Sequence, residues 1–590
     1  MEPTPVTEPA AVEPAPVAEP MPVPVPEPSP AAPAPTPAVD PRAPRRWDGL
    51  IALALALATF AALGLTEAGV GFARDEGYYF RAGHDYAGWY TDLWDAAKRG
   101  KPLEAFTDAA IVRRFDYNHE HPVLMKSLFG LSHLLFTEKL GWLRDAAGYR
   151  LPSWAVSGFL SALLFLLASR LVSRRGGLFA VGAFWLVPRH FFHGHLAAFD
   201  MPIVWAWALV AYCYWRSLSN RRWALWTGLA YGLALAVKHN AWILPGVLLI
   251  HFLLAEAPRA WREGRGRGLA RAASPFFAML TLGPAVFYLH WPYLWHHPID
   301  RFLWYANFHG QHINYPWEYL GRLLVEAPFP VGYAFGVTAL TVPVALFVLM
   351  ATGSLREIAR FVATFVYRRA QRFVGTLDSD SLLLLGNAFA SLVVFSVPNV
   401  PIFGGVKHWM PSMPFLAILA ARALERAGGT SGEVLPFARR AAFPVLAGLV
   451  LLPGLLGLVQ NHPYGTSFYN ELAGGHAGAA TLGMHRQYWS SNVTGVLPWL
   501  NEHAPRNARV FLHEVNWDSF LAYKQAKMIR DDLQYASSPQ DSVIAAYQYM
   551  PEFRDLELQI WNSYGTRTPV HGLYLDETPQ VVVYQRPPRG

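Results

Sequence analysis

One cysteine stands among 590 residues, and Cys213 lies inside an apolar stretch. That excludes an intramolecular disulfide and any CxxC redox or zinc site. Charge is scarce too. Asp, Glu, Lys and Arg make up 15% of the chain, against roughly 25% in a soluble domain. With 53% hydrophobic residues over this length, the shortage excludes a single soluble domain and calls for an apolar solvent. The net charge of +7 is gathered as arginine clusters between hydrophobic stretches. It therefore reads as membrane topology and not as a surface for nucleic acid. Lys and Arg are absent before Arg42, where residues 1–41 alternate Pro with Ala, Val and Glu. Such a tract cannot bury a core, so residues 1–46 are expected to form a disordered cytoplasmic tail rich in polyproline II.

What is present is a series of segments near the ~20 apolar residues that cross a bilayer. The first, 49–65, follows Arg42, Arg45 and Arg46 and has no small-residue cleavage site, so it reads as a membrane helix starting in the cytoplasm. Further basic clusters fall at 174–175, 216–222, 259–271, 356–372 and 426–440. Holding all of them inside predicts spans near 151–172, 177–197, 201–217, 223–238, 241–255, 275–291, 331–351, 382–398, 409–424 and 441–460, eleven in all with the first. The short apolar run 124–136 must then lie along the outer membrane face. The expected fold is an all-α polytopic membrane domain over 47–460, with an external loop at 71–150. A small extracytoplasmic α/β domain is expected over 461–590, with strand-like runs at 509–512 and 581–584.

Ionisable groups recur at the outer ends of these spans. Arg74-Asp75-Glu76-Gly77-Tyr78-Tyr79 follows the first helix, and Asn118-His119-Glu120-His121-Pro122 opens the in-plane run. Asp200 sits in a short outer turn before Pro202, and Lys238-His239-Asn240 ends another span. Carboxylates and a lysine that terminate different spans on one side point to a shared charged cavity. Capped turns and snorkelling side chains are the bland alternatives.

In this order the pieces resemble the C-type glycosyltransferases, above all the bacterial branch of the dolichyl-phosphate-mannose protein mannosyltransferases and the lipid A aminoarabinose transferases. The resemblance runs from about Trp47 to Leu254. It rests on Asp75-Glu76, His121-Pro122-Val123-Leu124, Arg150-Leu151-Pro152-Ser153, Asp200-Met201-Pro202 and the Gly-Leu-Ala-x-Ala-x-Lys run at 232–238. Gly404-Gly405-Val406-Lys407-His408 is similar to the family's late re-entry segment, and Pro463-Tyr464, Tyr469-Asn470 and Tyr488-Trp489 to its C-terminal part. Val123 stands where the family often has a second proline, and the residues after Lys238 also depart from the common pattern.

The resemblance implies transfer of a sugar from a polyprenyl-phosphate carrier, in the bilayer of the inner membrane, to an envelope lipid, glycan or protein acceptor, with inversion. Phosphate leaves without a strong acid, so the site needs a base and cations. Asp75 is the candidate base, with Glu76 positioning it or the acceptor. Lys238, with Arg74, is the candidate for the donor phosphate, and Asp200, Glu120, His121 and Tyr78 are expected in the cavity. No cofactor is fixed by the sequence; the histidines leave room for a divalent metal, with Glu120 matching a carboxylate that some aminoarabinose transferases use for one, but no two-His spacing fixes a site. A transporter of a lipid-linked or small polar substrate shares the polar residues, although no internal repeat of the transporter kind is visible. Asn492-Val493-Thr494 is a weak sequon match with no assigned role.

Overall fold

The computed structural model describes residues 42–434 and 441–588, together with residues 1, 2, 4 and 40. Residues 3, 5–39 and 41 of the proline-rich tail, and Arg439 and Arg440 of the last basic cluster, lie outside the described residues. The described chain is mostly helical, and a small sheet stands near its C-terminus.

The first half runs as nine α-helices: α1 (Asp48–Leu65), α2 (Arg74–Lys98), α3 (Asp108–Phe115), α4 (Leu124–Ser132), α5 (Asp145–Leu171), α6 (Arg174–Trp185), α7 (Pro188–His195), α8 (Asp200–Ser217) and α9 (Trp223–Val237). α1 packs along α5, and α8 lies between α5 and α9. The run 124–136 begins as α4, passes into a π-helical turn at His133–Lys139, and packs on α2 and α5.

The expected eleven spans are not confirmed by helix length and apolarity. Among the described residues, five helical stretches are long and apolar enough to cross a bilayer: Asp48–Leu65, Asp145–Leu171, His239–Gly264, Gly266–His290 and Ala442–Asn461. Two bent pairs raise the number to seven, Pro188–His195 with Asp200–Ser217 (102°) and Arg368–Val374 with Ser379–Val394 (92°). The expected spans 177–197 and 201–217 thus become α6 plus a bent α7–α8 pair. The segment 331–351 divides between Tyr333–Thr341 and Val344–Phe365, the latter carrying Arg356, Glu357 and Arg360. α9 has 15 residues, about 22 Å against a core of about 30 Å. Helices packed inside a bundle need neither the length nor the unbroken apolarity of a lipid-facing span, and hydropathy alone cannot separate the two cases.

Seven strands complete the described structure. β1 (Trp317–Tyr319) and β2 (Arg322–Leu324) form a hairpin whose turn residues, Leu320 and Gly321, both have positive φ, as a two-residue turn of this kind requires. β3 (Arg509–Leu512), β4 (Gln534–Tyr535), β5 (Ile544–Gln548), β6 (His571–Leu575) and β7 (Thr578–Gln585) form one sheet in the order β4-β3-β5-β7-β6. β3 runs parallel to β4 and β5; β7 is antiparallel to β5 and β6. Both strand-like runs read from the sequence lie in this sheet, which packs with the helices so closely that residues 41–590 form one compact unit.

Candidate active site

A cavity of ≈ 540 Å³ opens where α2, the α7–α8 bend, the end of α9 and the C-terminal region meet. Arg74, Asp75, Tyr78, Glu120, His121, Asp200 and Lys238 all line it; Glu76 does not. The reason is visible at the start of α2. Glu76 is fully buried, and its carboxylate closes a capping box on the Ala73 N–H at 2.9 Å. Arg150 Nε and Nη2 donate to its two oxygens at 2.9 and 2.8 Å, and the Ala197 N–H donates at 2.8 Å. Glu76 therefore fastens α2 to α5 and to the α7–α8 bend, and it has no oxygen left for a substrate.

Asp75, one residue earlier, faces the cavity. Its side chain is 31% exposed and accepts no hydrogen bond from the described residues; the Lys407 ammonium stands 4.0 Å away. Two glycines fix the approach. A Cβ on Gly71 would lie 2.0 Å from the Ser491 carbonyl oxygen, and one on Gly77 would lie 2.4 Å from Ser519 Oγ. The Tyr523 hydroxyl takes the Phe72 N–H at 2.8 Å, and Asn516 Nδ2 donates to the Arg74 carbonyl at 2.8 Å. The first turn of α2 is thus held against the C-terminal region, and its acidic residues sit at the positive end of the helix.

Opposite charges meet deeper in. Lys238 Nζ donates to Asp200 Oδ1 at 2.7 Å, both groups buried. Asp200 Oδ2 has no hydrogen-bond partner among the described residues and lies 3.6 Å from His193 Nδ1. His193 Nε2 shares a hydrogen bond with the Tyr488 hydroxyl at 2.9 Å. Arg74 Nη1 donates to Glu514 Oε2 at 2.8 Å. Burial lifts the Glu514 carboxyl above its ordinary value, opposed by the Arg74 charge.

Lys407 is the cation that the sequence reasoning did not assign. It is 7% exposed, lines the cavity, and makes no hydrogen bond with the described residues. Its ammonium lies 4.3 Å from the Trp489 ring and 5.3 Å from the Phe403 ring. Gly404 and Gly405, at φ 65 and 57, form the left-handed turn before it. A Cβ on Gly404 would lie 2.2 Å from Lys407 Cε, so only glycine leaves the stem its place. The signal was the Gly-Gly-x-Lys-His run itself. Glu514 and Glu552, also in the lining, carried no sequence signal.

Glu120 accepts from Asn118 Nδ2 at 2.6 Å, and the loop that carries it is pinned by Lys126. That ammonium donates to the carbonyls of Asn118 and His121, and its burial pulls its pKa down to about 7. His309 Nε2 is engaged by the Glu120 carbonyl at 2.8 Å, and its ring stacks on His239 at 4.0 Å. These groups do not converge as ligands: among the described residues no cluster of three or more His, Cys, Asp or Glu is arranged to hold a metal ion. The observed donor set does not fit the divalent metal for which the resemblance left room.

Residues 120–281 match a family model described as dolichyl-phosphate-mannose-protein mannosyltransferase. No curated protein sequence matches the chain. Among solved structures, ArnT from Cupriavidus metallidurans bound to undecaprenyl phosphate is 16% identical, with 90% of this chain and 97% of that one covered at a TM-score of 0.46. The Archaeoglobus fulgidus oligosaccharyltransferase, tethered to an acceptor peptide containing the NVT sequon, is 12% identical over 85% of this chain and 65% of its own, at 0.45. AglB from the same organism, in complex with an inhibitory peptide and a dolichol-phosphate, is 11% identical over 80% and 60%, at 0.44. The resemblance to the dolichyl-phosphate-mannose protein mannosyltransferases, drawn over about Trp47 to Leu254, is borne out by a family match that covers residues 120–281 and so begins after Asp75-Glu76.

Proposed function

We propose that this multi-pass membrane protein transfers a sugar from a polyprenyl-phosphate carrier to an acceptor outside the cytoplasm. One observation carries the reading. Asp75, a carboxylate with no hydrogen-bond donor among the described residues, faces two buried lysines, Lys238 and Lys407, across one cavity between the helices and the C-terminal sheet. The match of residues 120–281 to a lipid-phosphate-dependent family supports the donor class. The arginine clusters, read as cytoplasmic, support a cavity and a C-terminal sheet on the periplasmic side of the inner membrane.

In this reading Asp75 takes the proton of the acceptor hydroxyl as its oxygen attacks the anomeric carbon. The bond from that carbon to the phosphate oxygen breaks, and polyprenyl phosphate departs with the electron pair. Lys407 and Lys238 hold the charge that grows on the leaving phosphate, in a site where water does not screen it. Lys407 has the freer ammonium, whereas Lys238 is shared with Asp200. One direct displacement inverts the anomeric configuration. Glu76 acts at one remove, by fixing the turn that carries Asp75. No step requires a metal.

The test is transfer of labelled sugar from polyprenyl-phosphate donors to a crude envelope fraction, with the full chain in nanodiscs. Asp75→Asn should lower transfer about 10²–10⁴-fold, and Lys238→Ala about 100-fold, with donor binding retained in Asp75→Asn. Full transfer by Asp75→Asn, or a product of retained configuration, would sink the mechanism. Failure of the wild type to bind any polyprenyl-phosphate sugar would remove the function.

A further inference from the structure

The C-terminal sheet contributes two carboxylates to the cavity, Glu514 and Glu552. Glu514 follows the end of β3 by two residues and Glu552 follows the end of β5 by four, and β3 and β5 are parallel neighbours. Loops leaving the carboxyl ends of adjacent parallel strands form the crevice in which open α/β sheets bind ligands. Here the two ends are tied together: the His513 N–H donates to the Ala546 carbonyl at 2.9 Å, and Gln548 Nε2 donates to the His513 carbonyl at 2.8 Å.

Each carboxylate is held in a way that packing alone does not require. Glu514 has φ 59, a left-handed conformation unfavourable to a residue with a side chain. Glu552 is 4% exposed at its side chain; one oxygen is 2.7 Å from His485 Nε2, while Oε2 is buried with no hydrogen-bond partner. The His485 ring is held in turn by Trp317, stacked at 3.8 Å and 3°. A buried carboxylate oxygen without a donor is costly, and a ligand hydroxyl would supply one.

Charge narrows the ligand. Three cations line the cavity, Arg74, Lys238 and Lys407, against the carboxylates of Asp75, Glu120, Asp200, Glu514 and Glu552. A phosphate held by the lysines leaves the remaining carboxylates in excess, so a second anion is repelled and a neutral donor of hydrogen bonds is favoured. Beside Glu552, Phe553 offers an apolar face for the C–H side of a sugar ring.

We propose that Glu514 and Glu552 form the acceptor subsite and that it takes the hydroxyl groups of an uncharged glycan. This rests on the glycosyltransferase reading, and the experiment separates the two. Full-length chain in nanodiscs is titrated with neutral manno- and gluco-oligosaccharides, and with the same sugars phosphorylated, by saturation-transfer NMR. Polyprenyl phosphate affinity is measured on the same samples. Neutral oligosaccharides should bind, phosphorylated ones at least about 10-fold more weakly. Glu552→Gln and Glu514→Gln should each lose at least about 10-fold in oligosaccharide affinity while polyprenyl phosphate still binds. Glu514, partly exposed, serves if Glu552→Gln does not fold. The subsite is overturned if a chain that binds polyprenyl phosphate binds no neutral oligosaccharide, binds the phosphorylated forms equally, or is indifferent to both substitutions. A wild type that binds no polyprenyl phosphate takes down the parent reading and the subsite with it.

Discussion

The substitution Glu76→Gln separates fastening from chemistry at the acidic pair. Arg150 is fully buried, and all five of its N–H groups are used. Nε and Nη2 go to Glu76, Nη2 also to the Gly71 carbonyl at 2.9 Å, and Nη1 to the Val70 carbonyl at 3.1 Å and Glu67 at 3.2 Å. The substitution would turn an amide NH₂ against those donors and leave the guanidinium short of a counter-charge. Breaking a buried pair costs about 3–5 kcal/mol; because Glu67 stays within reach of Nη1, the lower end, about 3 kcal/mol, is expected. Arg150→Met should cost at least as much, since Glu76 would keep only two backbone N–H donors. In the double variant Glu76→Gln/Arg150→Met the losses should fall well short of additive, with about 2 kcal/mol or more of coupling. Thermal unfolding in nanodiscs reads the stabilities, and hydrogen exchange over 70–76 reads the loosening of the segment that carries Asp75. Additive single effects would refute the fastening. A Glu76→Gln chain as stable as wild type but inactive would return Glu76 to the chemistry.

Three further outcomes follow from the same geometry. Lys407→Ala should lower transfer about 100-fold, and Gly404→Ala should do nearly the same by displacing the lysine stem, both read as sugar transfer by a folded sample. Tyr488→Phe should leave the His193 imidazole without its partner and reduce transfer roughly 5–30-fold, an effect of about 1–2 kcal/mol; an unchanged rate would show that this hydrogen bond does not help align Asp200 and Lys238. His513, in the C-terminal sheet, is held neutral by burial, with its pKa lowered to about 4. An unfolded chain binds that proton near 6.5 and the folded one does not, so stability should be full above about 6.5 and fall as pH drops towards about 4, by about 3 kcal/mol in total. Loss of that acid sensitivity in His513→Asn, measured by thermal unfolding from about pH 7 to about pH 4, checks the assignment.

The sequence by itself determined the class of solvent, because 53% hydrophobic residues with 15% charged leave no other. It also placed the ends of Asp48–Leu65 and Ala442–Asn461 to within one residue, since apolar length is dictated by the bilayer, whereas α5, more deeply packed, begins six residues before the expected 151. Seven of the eight residues singled out in it line one cavity, since an ionisable group at the end of an apolar run is costly wherever it goes and stands out. It named Asp75 as the base and Glu76 as the residue that positions it or the acceptor, but it could not say by what means: only Arg150, 74 residues away, turns Glu76 into a fastener and leaves Asp75 free. It missed Lys407 as a cavity cation, because a lysine just after a Gly-Gly pair looks like a loop residue until Trp489 and Asp75 are folded against it. The count of eleven spans was not confirmed for a related reason, since helices sheltered by their neighbours can be short, bent or charged. Glu514 and Glu552 were invisible altogether. Their meaning comes from the register of two parallel strands, and strand neighbours are chosen by tertiary packing and not by any local pattern of residues.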